Sequence, residues 1–211
     1  AQITVHLGPP TASAANVTVS FADYVKNVAS SEIYPTWDDS ALVANILAII
    51  SFALNRVYTE FYRSRGYDFD ITSSTAIDQK FINGRNIFEN VGRLVDELFN
   101  TYLRRQGFVE PLAAKFCNGT TVTCDGLSQW GSQELAQQGL SSVEILRRYY
   151  GEDIEIVRNA PLILNRGGTI LFEVGIRQSD DVRKILADAG YSTACIKDDQ
   201  KIERVVLGKK D

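Results

Sequence analysis

The predicted fold depends on one apolar stretch, Ala41-Leu-Val-Ala-Asn-Ile-Leu-Ala-Ile-Ile-Ser-Phe-Ala-Leu54. A helix that is apolar on nearly every side is typically buried in the core of a domain. Asp38 and Asp39 stand before the stretch, where carboxylates stabilise the N-terminal end of a helix, and Gly66 stands after it as a helix stop. We therefore predict a buried central helix from residue 38 or 39 to about residue 65. The apolar run, interrupted by two polar residues, is too short to span a bilayer.

Shorter elements are predicted on both sides of the central helix. Alternating apolar residues indicate strands, Ser20 is placed to cap a helix, and apolar residues at helical spacing indicate further helices. The predicted strands are 2–7, 17–20, 111–116 and 154–157, and the predicted helices are 21–31, 87–104 and two helices separated by Gly139. Together they form an α+β domain over residues 1–160, rich in helix and with a small sheet.

The sequence changes in character after Pro161. A helix is predicted between Asp180 and Gly190, and two strands after it form a hairpin. The strands of this region are predicted at 169–174, 193–196 and 202–207. We predict a second unit over residues 161–211, with the order strand-helix-strand-strand. Cys195 lies in the apolar pattern of one of these strands and is predicted to be a small core residue.

Composition argues against two classes, disordered proteins and general nucleic-acid-binding proteins. The chain has 211 residues, of which 45% are hydrophobic and 23% are charged, values typical of folded globular domains. Its net charge of −4 argues against a general nucleic-acid-binding protein, because no excess of cations is available to neutralise phosphates. A polar, uncharged polymer such as a glycan is compatible with this charge. No basic-then-apolar leader precedes the apolar run, and the chain begins at Ala1 without a methionine, as expected of a processed precursor or a trimmed chain.

Two of the three cysteines, Cys117 and Cys124, flank a turn that contains Asn118-Gly119. In an exported protein this spacing suits a small disulfide loop, whereas in the cytosol the pair would be two free thiols. The single histidine, His6, is distant in the sequence, so neither a zinc site nor any other metal site is predicted. No cofactor is predicted.

Glu32 is the strongest candidate for chemistry. It falls at the end of a predicted helix, beside Tyr34 and Trp37. Apolar and aromatic walls disfavour the charged form of a carboxyl and are expected to raise its pKa, as a general acid requires. Cleavage of a glycan needs such a proton donor at the glycosidic oxygen. From these residues alone, a solvated surface glutamate is the more frequent case.

A second motif is Gly126-Leu-Ser-Gln-Trp-Gly131, which is followed by a short helix, Gly139 and an amphipathic helix that ends in two tyrosines. This order of turn, helix, glycine and helix resembles the closing segment of the stage II sporulation protein D family. The segment from Phe21 to Leu54 resembles the opening segment of the same family: a helix ends in Ser-Glu, and a turn containing tryptophan and a long helix follow. That family acts on bacterial peptidoglycan. The resemblance covers about residues 20–158.

The resemblance implies that Glu32 is the acid and base of a lytic transglycosylase. Such enzymes cleave the bond between N-acetylmuramic acid and N-acetylglucosamine without water and leave a 1,6-anhydro sugar. One carboxyl suffices, because a hydroxyl of the substrate replaces water as the nucleophile. The glycan strands of peptidoglycan are the implied partner. The implied location is the cell envelope or the exterior of a spore-forming bacterium.

The resemblance also implies a glycan-binding groove. Aromatic rings suit stacking on sugar faces, and hydroxyl and amide groups suit hydrogen bonds to sugar hydroxyls. The candidate substrate-binding residues are Tyr34, Trp37, Gln79, Ser128, Gln129 and Trp130. From the residues alone, the Ser-Gln-Trp turn is equally well explained as the start of a helix with a core tryptophan.

The sequence departs from the family pattern at three places. Ile50-Ser51-Phe52 stands in place of an Arg-Thr-Tyr triplet, Ala76-Ile77-Asp78 in place of a Cys-His pair that some members use for zinc, and the loop 117–124 is shortened. Two other interpretations therefore stay open. One is a non-catalytic peptidoglycan-binding module that keeps the fold and the groove, and the other is a structural scaffold whose tail mediates assembly.

The tail resembles a different family. The stretch Leu164-Asn-Arg-Gly-Gly-Thr-Ile-Leu-Phe-Glu-Val-Gly175 and the residues after it are similar to the last strand, helix and hairpin of HemK-type glutamine methyltransferases. The glycine loop and the Asn-Pro-Pro-Tyr motif of those enzymes are absent from this chain. The piece is therefore not predicted to be a methyltransferase. A chimera, a gene fusion or a misjoined reading would each explain its presence.

Overall fold

The computed structural model describes residues 2–158, 169–173, 179–188, 190–199 and 201–210. Among these residues the chain forms six α-helices and several small sheets, which confirms the predicted α+β class. The chain divides into two compact units, one over Gln2–Arg158 and one beginning at Asn159, whereas the sequence predicts the boundary after residue 160. Segments 159–168 and 174–178, which carry part of the resemblance to the methyltransferase tail, lie outside the described residues.

The first unit contains small sheets and five helices in its described residues. In chain order its elements are β1 (Gln2–His6), β2 (Asn16–Ser20), α1 (Phe21–Glu32), α2 (Asp39–Tyr58), β3 (Ile71–Thr72), α3 (Glu89–Leu98), β4 (Thr101–Arg105), β5 (Phe116–Cys117), β6 (Leu127–Ser128), α4 (Gln129–Gln137), α5 (Ser142–Tyr150) and β7 (Ile154–Arg158). Strand β1 lies between β2, to which it is antiparallel, and β3, to which it is parallel. Strand β4 pairs antiparallel with β7, and β5 pairs parallel with β6.

Helix α2 is the centre of the first unit, as predicted. All residues from Ala44 to Asn55 are buried, and α1, α3, α4, α5 and β4 pack against it. One of its faces forms a core cluster with Leu103, Ile145 and Leu146. Contacts on every side explain why the helix can be apolar on every side.

The length of α2 differs from the prediction. The helix ends at Tyr58, before Glu60 with its positive φ of 50°, and a separate 3-10 turn at Arg63–Arg65 precedes Gly66. By length and composition, however, the stretch Asp39–Arg65 is long and apolar enough to cross a membrane. The prediction from the sequence covers only the shorter apolar run 41–54, which is too short to span a bilayer. In the structure 78% of the most apolar 18-residue segment of Asp39–Arg65 is buried, as in the core helix of a folded domain.

The two polar residues inside the apolar run join α2 to other elements. The Asn45 side chain donates to Ser132 Oγ over 2.7 Å. The Ser51 hydroxyl donates to the Leu47 carbonyl and accepts a 2.8 Å hydrogen bond from the amide of Leu103. Each buried polar group therefore has a partner, as stability requires.

Two sequence predictions in this unit are wrong. The helix predicted over 87–104 ends at Leu98, and Thr101–Arg105 forms β4, because its backbone pairs with β7 and its amide at Leu103 bonds to Ser51. The strand predicted over 111–116 is reduced to one bridge at Pro111, with β5 starting only at Phe116. Proline has no amide hydrogen to continue a ladder.

The second unit contains β8 (Thr169–Glu173), α6 (Ser179–Asp188), β9 (Tyr191–Lys197) and β10 (Glu203–Lys210). Its sheet has the order β8-β10-β9, with antiparallel neighbours. Leu186, Tyr191 and Val206 form its core cluster among the described residues, and Cys195 packs against them partly buried. The predicted strand-helix-strand-strand order and the final hairpin are confirmed.

Candidate functional site

The candidate site is built around the end of α1. Ser20 caps the start of this helix by accepting a hydrogen bond from the amide of Asp23. The helix ends at Glu32, because Ile33 has an extended backbone and Pro35 follows two residues later. The turn from Tyr34 to Asp38 then leads directly into α2.

A cavity of about 360 Å³ opens at this point, and we call it the Glu32 cavity. Its volume lies in the range of small-molecule binding sites. The residues that line it are Ser30, Ser31, Glu32, Ile33, Tyr34, Trp37, Lys80, Arg85, Phe88, Asn118, Gln129 and Trp130. The structure therefore brings together five of the predicted site residues, although Glu32 and Gln129 are 97 positions apart in the chain.

The Glu32 carboxylate is half-buried and fixed by two N–H donors. The amide of Lys80 donates to its Oε1 over 2.9 Å. The side-chain amide of Gln129, at the first position of α4, donates to its Oε2 over 3.5 Å. The side chain is thus held between two segments that are far apart in sequence.

Gln79 does not face the cavity, which corrects the prediction that it binds substrate. Its side chain is 1% exposed, and it accepts a 2.9 Å hydrogen bond from the Tyr24 hydroxyl and donates to the Ile49 carbonyl over 3.2 Å. Burial, followed by the charges of Asp78 and Glu32, raises the pKa of Tyr24, so this hydroxyl remains a donor. Gln79 therefore positions the backbone whose next amide binds Glu32.

The same backbone segment is fixed on both sides of Gln79. On one side the Asn27 side chain donates to the carbonyl of Ile82 over 2.7 Å and accepts from its amide over 2.9 Å. On the other side Asp78, whose side chain is fully buried, accepts from Arg56 Nε, the Tyr62 hydroxyl and both the amide and hydroxyl of Thr72. Burial and the bond to Asp78 raise the pKa of Tyr62. Sequence reasoning missed this network, because its members are scattered along the chain.

Three aromatic rings form one side of the cavity. The Trp130 ring centroid lies 5.6 Å from that of Tyr34 and 5.1 Å from that of Trp37, and Tyr34 and Trp37 are 5.7 Å apart. Trp37 is 8% exposed and supports the other two rings, whereas Tyr34 is 56% and Trp130 39% exposed. Tyr34 and Trp130 therefore present ring surface on which an apolar sugar face can stack.

Ser128 is a helix cap, and the structure does not bring it into the Glu32 cavity with the other predicted binding residues. Its hydroxyl accepts a 2.9 Å hydrogen bond from the amide of Gly131 and interacts with the Tyr149 hydroxyl. It is not among the residues that line the Glu32 cavity. The Ser-Gln-Trp turn therefore combines both readings of the sequence: its serine starts a helix, and its tryptophan lines the cavity.

Helix α4 is also joined to the turn before α2. The Gln133 side chain donates to the Asp38 carboxylate over 2.6 Å and accepts from the Asp38 amide over 3.0 Å. This reciprocal pair fixes the turn that carries Tyr34 and Trp37 relative to the helix that carries Trp130. Local sequence patterns do not reveal this pair, because glutamine in a helix is usually solvated.

The structure joins Cys117 and Cys124 in a disulfide, and the loop that it closes contributes to the cavity. The carbonyl of Asn118 accepts a 3.2 Å hydrogen bond from the amide of Trp130. Gly119 has a φ of 80°, and a Cβ there would meet Ser128 Oγ at 1.8 Å. The loop thus contacts the start of α4 so closely that only glycine fits.

Replacing both Cys117 and Cys124 with serine is expected to lower the free energy of unfolding of the first unit by about 2–3 kcal/mol, because the loop closed by the disulfide is short. Urea denaturation followed by tryptophan fluorescence measures this, since both tryptophans of the chain, Trp37 and Trp130, belong to that unit. Cys195→Ser in the second unit is the control. Equal midpoints for the double variant and the control would contradict the prediction.

Comparison with known proteins identifies no family: no family model matches the chain, and no curated protein matches it. Within the described residues, no group of three or more histidine, cysteine, aspartate or glutamate side chains is placed to hold a metal ion.

Proposed function

We propose that the first unit is a peptidoglycan lytic transglycosylase with Glu32 as its acid and base. The observation that supports this most is the position of a half-buried carboxylate and an exposed indole, Trp130, in one cavity of about 360 Å³. A glycan strand stacked on Trp130 and Tyr34 would present its glycosidic oxygens to Glu32. The resemblance of residues 20–158 to the stage II sporulation protein D family supports the same function.

In the proposed reaction Glu32 first gives its proton to the glycosidic oxygen as the bond to the anomeric carbon breaks. The 6-hydroxyl of the same N-acetylmuramic acid then attacks that carbon, and the Glu32 carboxylate takes the hydroxyl proton. Atoms balance without water, and the product is a 1,6-anhydro sugar. Among the described residues that line the cavity, Glu32 is the one carboxylate, and ordinary glycoside hydrolysis uses two.

A non-catalytic peptidoglycan-binding module is the second candidate. It is favoured by the hydrogen bonds to Glu32, because both carboxylate oxygens already accept N–H donors, a structural role that needs no reaction. It is also favoured by Ile50-Ser51-Phe52, which is buried inside α2 at the place where the family carries Arg-Thr-Tyr.

One experiment separates the candidates. The chain is incubated with purified glycan strands, and the soluble products are examined by mass spectrometry for anhydro-muropeptides. Their release supports the enzyme, and binding to the strands without release supports the binding module. If insoluble cell wall recovers no protein at all, both are contradicted and a scaffold role is supported.

Trp130→Ala is expected to weaken binding to insoluble glycan by about tenfold, because the stacking surface is lost. Co-sedimentation at increasing glycan concentration measures the change. Trp130→Phe keeps a ring and is expected to restore most of the affinity. Phe108→Ala is the matched control, since Phe108 is an exposed aromatic residue outside the cavity. Equal losses for Trp130→Ala and Phe108→Ala would exclude Trp130 from the binding surface.

A further inference from the structure

Two basic residues that the proposed reaction does not use line the Glu32 cavity. Lys80 and Arg85 line it together with the single carboxylate of Glu32. The side chains that line the cavity therefore carry a formal charge of +1 when Glu32 is ionised and +2 when it is protonated, although the whole chain carries −4. Among the ion pairs of the described residues, none includes Lys80 or Arg85. Both charges are thus available to a ligand.

Arg85 also has an unused donor. Its Nε is buried from solvent and has no hydrogen-bond acceptor in the structure. A buried donor without a partner is destabilising, and most buried donors in folded proteins are paired. The guanidinium lies 5.5 Å from the centre of the Phe88 ring, which also lines the cavity. A shift of the guanidinium toward a bound carboxylate would give Nε the acceptor that it lacks.

The backbone around these two cations is fixed. The amide of Lys80 donates to Glu32, the amide of Arg85 donates to the Ile82 carbonyl over 3.1 Å, and Ile82 is itself held by Asn27. The cations therefore belong to the same rigid segment that positions the Glu32 carboxylate. A ligand that reaches Glu32 lies within the same cavity as both positive charges.

We propose that Lys80 and Arg85 bind a carboxylate of the glycan, so that the cavity selects acidic glycans over neutral ones. This inference rests on the proposed function. The planar guanidinium of arginine matches the geometry of a carboxylate and binds it through two parallel hydrogen bonds. In peptidoglycan the carboxylate can belong to the lactyl group of N-acetylmuramic acid or to the stem peptide.

The test is a set of binding titrations, followed by tryptophan fluorescence, with three ligands of equal glycan length. These are neutral N-acetylglucosamine oligomers, peptide-free glycan strands with a free lactyl carboxylate, and strands that keep their stem peptides. The unchanged protein is expected to prefer an acidic ligand over the neutral one by about tenfold, as one charge-assisted contact provides. A preference for peptide-free strands assigns the carboxylate to the sugar, and a preference for peptide-bearing strands alone assigns it to the stem.

Arg85→Gln is expected to abolish this preference while affinity for the neutral oligomer is unchanged, and Lys80→Gln to reduce it. Arg93→Gln, which removes an exposed cation of α3 outside the cavity, is the control for overall charge. An unchanged protein that binds neutral and acidic ligands equally would overturn the proposal. So would an Arg85→Gln variant that loses affinity for both, since that identifies a structural role.

These experiments distinguish the carboxylate subsite, formed by Lys80 and Arg85, from the transglycosylase activity. A preference for acidic glycans without anhydro products supports the subsite and contradicts the transglycosylase. Anhydro products without any preference support the transglycosylase and contradict the subsite. A protein that binds none of the three ligands contradicts both.

Discussion

Glu32→Gln is expected to slow the release of anhydro-muropeptides by about 10²–10⁴-fold, the contribution typical of general acid–base catalysis. Glutamine has nearly the same shape as glutamate but can neither give nor take the proton that the reaction requires. Binding of glycan is expected to change by no more than about twofold, because the cavity keeps its volume and its aromatic side. Mass spectrometry of products over time and co-sedimentation with glycan measure the two quantities.

The substitution should leave the fold intact. The oxygen of the new side-chain amide can still accept the hydrogen bond from Lys80, and rotation of the Gln129 amide offers an oxygen to its nitrogen. Glu97→Gln is the matched control, since it makes the same chemical change at an exposed position outside the cavity. Release of anhydro products by Glu32→Gln at the rate of this control would remove Glu32 from the mechanism.

Asp78→Ala is expected to lower the free energy of unfolding of the first unit by about 3–5 kcal/mol, the usual cost of removing one partner of a buried ion pair. The carboxylate is fully buried and bonds to Arg56 Nε over 2.8 Å and to the Tyr62 hydroxyl over 2.5 Å. It also accepts from the hydroxyl and amide of Thr72 over 2.7 and 3.0 Å. Its loss leaves the Arg56 charge almost buried and without compensation.

Tryptophan fluorescence in urea measures this loss, because both tryptophans lie in the first unit. Asp78→Asn keeps one acceptor oxygen and is expected to fall between the unchanged protein and the alanine variant. The control is Asp96→Ala, which breaks an exposed pair with Lys26 and is expected to cost about 0–1 kcal/mol. A midpoint for Asp78→Ala equal to that of Asp96→Ala would show that the network contributes little.

Local patterns predicted much of the fold. Three of these signals act within one or two helical turns of the residue that carries them: the cap at Ser20, the aspartates before α2 and the glycine after α4. The structure contains all three helices. Strand β4 was missed for the opposite reason. Its partners are Ser51 and β7, both about 50 residues away, and no local spacing reveals such a pairing.

The predicted residues of the candidate site also fall into two groups, those that line the cavity and those that do not. Residue chemistry together with the family resemblance selected Glu32, Tyr34 and Trp130, which the structure brings into one cavity. It was not enough for Gln79 and Ser128, whose polar groups are taken up by partners inside the protein. Whether a polar side chain faces a ligand or the core depends on those partners, which only the folded structure supplies.

The central position of α2 has a consequence for synthesis on the ribosome. The helix is complete at residue 58, but the partners that cover one of its faces, Leu103, Ile145 and Leu146, belong to the C-terminal half of the unit. About ninety more residues must be translated before α5 exists, which takes roughly 5–20 s at ordinary elongation rates. Throughout that interval part of this apolar face has no partner and stays exposed on the nascent chain. Exposed apolar surface of this kind is what holdase chaperones bind.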